Sequence, residues 1–251
     1  MVTFIQAVIL SLIQGVTEWF PISSSGHLAV AQELMGIEGI GFAVYLHFAS
    51  VISIFILYRK EIIRLLRPNK ENYQYIIKLL LAIIPAAIIG FFYLDQVRYS
   101  FGNMTFMGIF FILMGIFIYS TKLAHEIKNK MSFGDSIFIG VSQIFSLFPG
   151  ISRSGMTMGT GFILGLKKEQ AITFSFLLAI PMVLGASIVE AQEIISLDIH
   201  FTALLTSFMI TLLTSLLSIK YLVKIVKDDK FFLFGVYNII FGVFILVWSL
   251  I

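Results

Sequence analysis

The stretch QGVTEWFPISSSGH, residues 14–27, sets a glutamate, three serines, a glycine and a histidine between two apolar runs, 4-FIQAVILSLI-13 and 42-FAVYLHFASVISIFILY-58. A second stretch, QIFSLFPGISRSG at 143–155, repeats its form 129 residues later. In both, a glutamine precedes the first serine of the bend by nine residues, a Phe-Pro pair lies between them, and x-Ser-Gly follows. The apolar spans behind each stretch recur at offsets near 128. The chain therefore reads as one duplicated unit, 1–125 and 126–251, within a single membrane domain.

Composition gives the setting. Of 251 residues, 59% are apolar and only 12% charged, where a soluble domain carries about 45–50% and 25%. Apolar runs at 42–58, 74–94, 104–121, 171–189, 201–219 and 231–251 are each long enough to cross a hydrocarbon core of roughly 30 Å as a helix. Cysteine is absent, so thiolate metal sites and disulfides are excluded. The first basic residue is Arg59, so no basic leader precedes the first apolar run and a cleaved signal peptide is not expected.

Charge placement sets the threading. Arg59, Lys60, Arg64, Arg67 and Lys70 fill one loop; Lys122, Lys128 and Lys130 a second; Lys220, Lys224, Lys227 and Lys230 a third. The alternate loops, 95–102 and 190–200, contain only Arg98. Basic loops stay in the cytoplasm, which puts both termini outside. Residues 1–40 and 133–170 must then enter and leave on one side, as re-entrant hairpins whose irregular backbone is buried in protein or lines a watery cavity. The expected fold is an all-α integral membrane protein built as an inverted-topology repeat. Each half is one re-entrant helical hairpin plus three transmembrane helices, and the odd number of crossings turns the second copy upside down.

The two bends then meet near the midplane. Gln14 and Glu18 share a helix face at i,i+4. Pro21 stops that helix, and Ser23, Ser24, Ser25 and Gly26 offer hydroxyls and N–H groups where the next helix starts, an anion site. Opposite, Ser152, Arg153, Ser154 and Gly155 open another helix, with an arginine able to fork onto phosphate oxygens. Two such turns suit a phosphate or pyrophosphate. Ionisable groups at membrane depth cost about 3 kcal/mol or more each and mark function, and Glu18, His27 and Arg153 would share one site. His47, on a crossing helix at similar depth, reads as core packing first and as a support behind the site second. His125 and His200 read as loop residues. No zinc spacing, P-loop, dinucleotide fingerprint or nucleic-acid patch is present.

At these residues the sequence resembles a known family. The motifs 14-QGVTE-18, 21-PISSSGH-27 and 149-PGISRSG-155 are similar to the signatures of undecaprenyl-pyrophosphate phosphatase, the bacitracin-resistance family. The likeness covers essentially the whole chain, including 174-FSFLLAIPMVLGA-186. It implies removal of the terminal phosphate from a polyprenyl diphosphate lipid, recycling the carrier for cell-wall synthesis. The setting is a multi-pass protein of the cell (inner/plasma) membrane whose site opens to the outer face. Many members carry Glu where this chain has Gln14, so a metal site built on a Glu pair is not available here. A divalent cation, Mg2+ or Ca2+, is left open as a cofactor, as is a homodimer.

The expected chemistry is in-line attack on a phosphoanhydride. Ser24 is the chosen nucleophile, with His27 one turn away as its base. Glu18 would orient His27 or act as the base itself, and Arg153 would hold the diphosphate with Gln14, Ser23, Ser25, Gly26, Ser152, Ser154 and Gly155. Ser23 or Ser25 as nucleophile, and direct attack by His27 or water, stay open. The rival class is a carrier or flippase for a lipid phosphate or small anion, which needs Arg153 but gains nothing from a hydroxyl beside a base.

Overall fold

The computed structural model describes residues 2–37, 39–195, 197 and 199–250. Met1 and Ile251, the termini expected on one face, lie outside the described residues. Among these the chain is helix and loop, with one isolated β-bridge between Lys128 and Leu166. The helices are α1 (Phe4–Thr17), α2 (Ser24–Met35), α3 (Gly41–Leu57), α4 (Arg59–Leu65), α5 (Lys70–Phe92), α6 (Leu94–Phe101) and α7 (Met104–Ser120). There follow α8 (Phe133–Ile144), α9 (Arg153–Ile163), α10 (Lys168–Val189), α11 (Ala191–Ile195), α12 (Phe201–Lys227) and α13 (Phe232–Trp248). Their starts are written in the sequence. Thr3 with Gln6 and Ser132 with Asp135 form capping boxes at α1 and α8, while Asn69 and Asn103 cap α5 and α7.

Among the described residues four helices are long and apolar enough to cross a membrane: α5, α10, α12, and α7 carried on to Leu123 by a 3-10 turn. The count is five where α3 and α4, bent by 77° between Leu57 and Arg59, are taken together as one span. The sixth expected span, 231–251, forms a 17-residue helix, α13. The face of α5 bearing Ile77, Leu80, Ile84, Ile88 and Phe91 is exposed; in water that apolar stripe would be buried, so its solvent is lipid. Three expected loops carry short helices, α4, α6 and α11. In the stretches 1–40 and 133–170 lie α1 and α2, broken at 18–23, and α8 and α9, broken by a 3-10 turn (Phe145–Leu147) and residues 148–152.

Small residues set the close contacts. α7 and α13 cross backbone to backbone: a Cβ on Gly115 would lie 2.6 Å from the Gly235 carbonyl oxygen, and one on Gly108 would lie 3.0 Å from that of Gly242. α1 meets α12 at Gly15 and Thr211, and α8 meets α5 at Gly140 and Ala82; in each a Cβ on the glycine would lie 2.7 Å from the partner carbonyl. α3 packs on α10 and on α12, and α10 packs on α5. Around this frame Trp19, Phe174 and Phe176 are fully buried, Trp19 meeting Phe176 edge-on at 5.4 Å.

Candidate active site

α1 ends at Thr17 because Pro21 follows; proline lacks an N–H and disfavours helix in the residue before it. Glu18 is thus the last residue held by the helix, its N–H still donating to the Gln14 carbonyl. The chain re-enters helix at Ser24 only by placing Ser23 in the left-handed region, φ 64° and ψ 88°. For a residue with a Cβ that costs on the order of 1–3 kcal/mol. The offset is visible: the Ser23 hydroxyl accepts from the N–H of Gly150 at 3.0 Å and of Gly26 at 3.3 Å. One strained serine ties the first hairpin to the second.

Glu18, 6% exposed, is the hub. Its Oε2 accepts from the Ser24 hydroxyl at 2.6 Å and from Gln14 Nε2 at 3.0 Å, and lies 3.4 Å from His47 Nε2. Its Oε1 accepts from Arg153 Nη2 at 2.8 Å. The Arg153 guanidinium lies over the Trp19 ring at 5.5 Å, an orientation favoured by the ring's negative face. Arg153 Nη1 is buried and has no protein partner, as is Gln14 Oε1. A buried guanidinium nitrogen left open beside a carboxylate is set to take an anion.

The second bend supplies the rest. Ser152 caps α9, accepting from Gly155 N–H at 3.2 Å, and its hydroxyl lies 3.0 Å from that of Ser154. Ser154 donates to the Phe20 carbonyl at 3.2 Å and Ser152 reaches the same oxygen at 3.5 Å. Gly155 allows the approach: a Cβ there would sit 3.1 Å from Pro21 Cβ. Ser25 is half-buried, 3.3 Å from the Ser23 hydroxyl. Gly26 is buried against Phe111. α2 and α9 therefore begin at one place, and a helix start leaves N–H groups without intrahelical partners.

The structure brings together Gln14, Glu18, Ser23, Ser24, Ser25, Gly26, Ser152, Arg153, Ser154 and Gly155. It does not turn His27 toward Ser24. The His27 ring meets the Ser23 carbonyl through Nδ1 at 2.8 Å and the Tyr237 hydroxyl through Nε2 at 2.7 Å, and stacks on Phe241 at 4.3 Å. A carbonyl only accepts, so Nδ1 carries the proton, and in the neutral ring Nε2 accepts from tyrosine. Of the two readings open for His47, packing and support of the site, the structure favours the second, since its ring faces Glu18. One residue has no place in the sequence reading. Asn238 of α13 donates to the Pro21 carbonyl at 2.8 Å; the signal was an amide inside FLFGVYNIIFGVFILVW.

Among the described residues no three His, Cys, Asp or Glu side chains gather, and Glu18 stands beside an amide rather than a second carboxylate. These donors form no cation cage by themselves; a hard divalent ion here would need the substrate's own oxygens. Cavities of 210 and 380 Å³ lie elsewhere, at the basic loops around His125 and Lys168 and around Arg64 and Lys130.

Comparison with known proteins agrees with this picture. A family model described as bacitracin resistance protein BacA matches residues 7–244. An undecaprenyl-diphosphatase of Methanococcus vannielii is 34% identical over 249 residues, covering 96% of this chain and 98% of the relative. One from Bacteroides fragilis is 36% identical over 260 residues, covering 97% of each. One from Pelotomaculum thermopropionicum is 37% identical over 255 residues, covering 98% and 96%. With the match spanning nearly its whole length, the chain belongs to the bacitracin resistance protein BacA family.

Proposed function

We propose that the chain is a membrane phosphatase that hydrolyses undecaprenyl diphosphate to the monophosphate and inorganic phosphate, returning the lipid carrier to cell-envelope synthesis. The observation that carries the reading is a hydroxyl on a carboxylate beside an open cation: Ser24 donates to Glu18 at 2.6 Å, and Glu18 holds one nitrogen of Arg153 while the other is free. Such a set suits in-line phosphoryl transfer. Arg153 Nη1 and the N–H groups opening α2 and α9 bind the terminal phosphate. Ser24 Oγ attacks that phosphorus, Glu18 takes the serine proton, and the bridging P–O bond breaks to release the prenyl monophosphate. Water then attacks the phosphoserine: Glu18 returns its proton to Ser24 Oγ as the P–O bond to serine breaks, takes one proton from the water, and loses it as inorganic phosphate departs. Glu18 serves as base, the alternative to His27, because the His27 ring is engaged elsewhere.

Several features support the inverted repeat with re-entrant hairpins. Packing partners exchange between halves: α1 on α12 answers α8 on α5, and α3 on α12 answers α10 on α5. The α7–α13 crossing pairs Gly108 with Gly242 and Gly115 with Gly235, an antiparallel match between equivalent helices. Basic loops on one side favour a site reached from the outer face. Such architecture also suits carriers, but a carrier has no use for the Ser24–Glu18 contact. The test is phosphate release from undecaprenyl diphosphate by purified protein, with Ser24→Ala alongside. Release lost in the variant is the expected result; a folded wild type that releases none sinks the reading.

A further inference from the structure

α13 is apolar along its length except for two adjacent residues, Tyr237 and Asn238. An amide in such a helix is retained where it meets a specific partner. Asn238 is fully buried, and its Nδ2 donates to the Phe234 carbonyl of its own helix and, at 2.8 Å, to the Pro21 carbonyl of the catalytic loop. Tyr237 donates to His27, whose other nitrogen donates to the Ser23 carbonyl. With Ser154 on the Phe20 carbonyl, three carbonyls of the 20–23 loop are each held from outside the backbone, two of them through α13.

We propose that Tyr237 and Asn238 are positioning residues for the phosphatase reaction, bracing the 20–23 loop so that Ser23 keeps its left-handed conformation and Ser24 stays aimed at Glu18. The inference rests on the phosphatase reading. The physical need is specific. A serine at positive φ relaxes when its surroundings loosen, and Ser24 is the next residue. Asn238 acts on the loop directly; Tyr237 acts through His27. Neither touches the phosphate-binding groups, so their loss should lower turnover and leave binding alone. Misplacing a reacting group by about 1 Å costs about 100-fold in rate.

The experiment is steady-state kinetics of the purified full chain on farnesyl diphosphate and undecaprenyl diphosphate, for wild type, Tyr237→Phe, Asn238→Leu and Asn238→Asp. Tyr237→Phe keeps the ring and its stack on Phe241, and so should keep the fold. The expected result is kcat down about tenfold for Tyr237→Phe and about 100-fold for both Asn238 variants, with KM within about twofold. A rise in KM at constant kcat, or a lowered melting temperature with unchanged kinetics, overturns the proposal. In parallel, 15N-histidine spectra should show His27 protonated at Nδ1, with its Nε2 resonance moved by Tyr237→Phe. An unmoved resonance overturns the brace whether or not the enzyme turns over. A wild type without phosphate release sinks the phosphatase reading, and the spectra then decide the brace.

Discussion

The two bends are built to one plan and equipped differently. Between Gln14 and Pro21 the first carries Glu18; between Gln143 and Pro149 the second carries no ionisable residue. After the proline the second carries Arg153 between two serines, where the first has only hydroxyls. Gln14 donates to a carboxylate at 3.0 Å, while Gln143 reaches only a carbonyl of α5 at 3.5 Å. Under the proposed mechanism the base and the attacking hydroxyl sit on one bend and the charged anion holder on the other. The lesson is that two similar bends supply matched helix starts, and the proposed chemistry rests on the positions at which they differ.

The division of labour should be visible in separate kinetic constants. Glu18→Gln removes the base and keeps the shape, and should lower kcat about 1,000-fold with little change in diphosphate affinity. Arg153→Lys keeps a charge but loses the planar fork, and should weaken diphosphate binding about tenfold and lower kcat/KM about 100-fold. Calorimetric binding and turnover on the two variants check both; if Glu18→Gln loses binding and Arg153→Lys does not, the comparison is broken.

Smaller effects sharpen it. Ser23 accepts N–H groups from both bends, whereas Ser152 accepts one from its own helix and reaches the first bend only by a long contact, 3.5 Å, to the Phe20 carbonyl. Ser23→Ala should therefore destabilise by about 2–3 kcal/mol and Ser152→Ala by about 1 kcal/mol, read by denaturation in detergent. Equal losses would show that the tie to Gly150 carries no weight. Gln14→Glu should change least. With Mg2+ present, activity should stay near wild type, but a second carboxylate beside Glu18 should make it sensitive to chelators; a variant indifferent to chelation would show that no cation enters.

The bends were legible because proline, glycine and serine interrupt apolar runs twice at one spacing, a pattern lipid does not tolerate without a reason. Gln14 and Glu18 were legible as helix neighbours. The direction of His27 was not: spacing puts it one turn from Ser24, but its ring answers to Tyr237, 210 residues away. Asn238 was hidden likewise, meeting Pro21 across 217 residues. The bend after Leu57 followed from no single residue; basic Arg59 and Lys60 announced the loop but not that it continues as α4. Local pattern reports where chains break, and long-range contacts decide where the freed groups point.

The ion pair between Glu18 and Arg153 spans 135 residues, and that distance has a consequence during biosynthesis. At roughly 5–20 residues per second, the carboxylate leaves the ribosome about 7–27 s before its cation exists. A lone acidic side chain in lipid costs roughly 3 kcal/mol, so through that interval the first bend is better held among the waters of the insertion machinery. Arrival of Arg153 ends the wait. The helices that close around the pair, α10, α12 and α13, come later still.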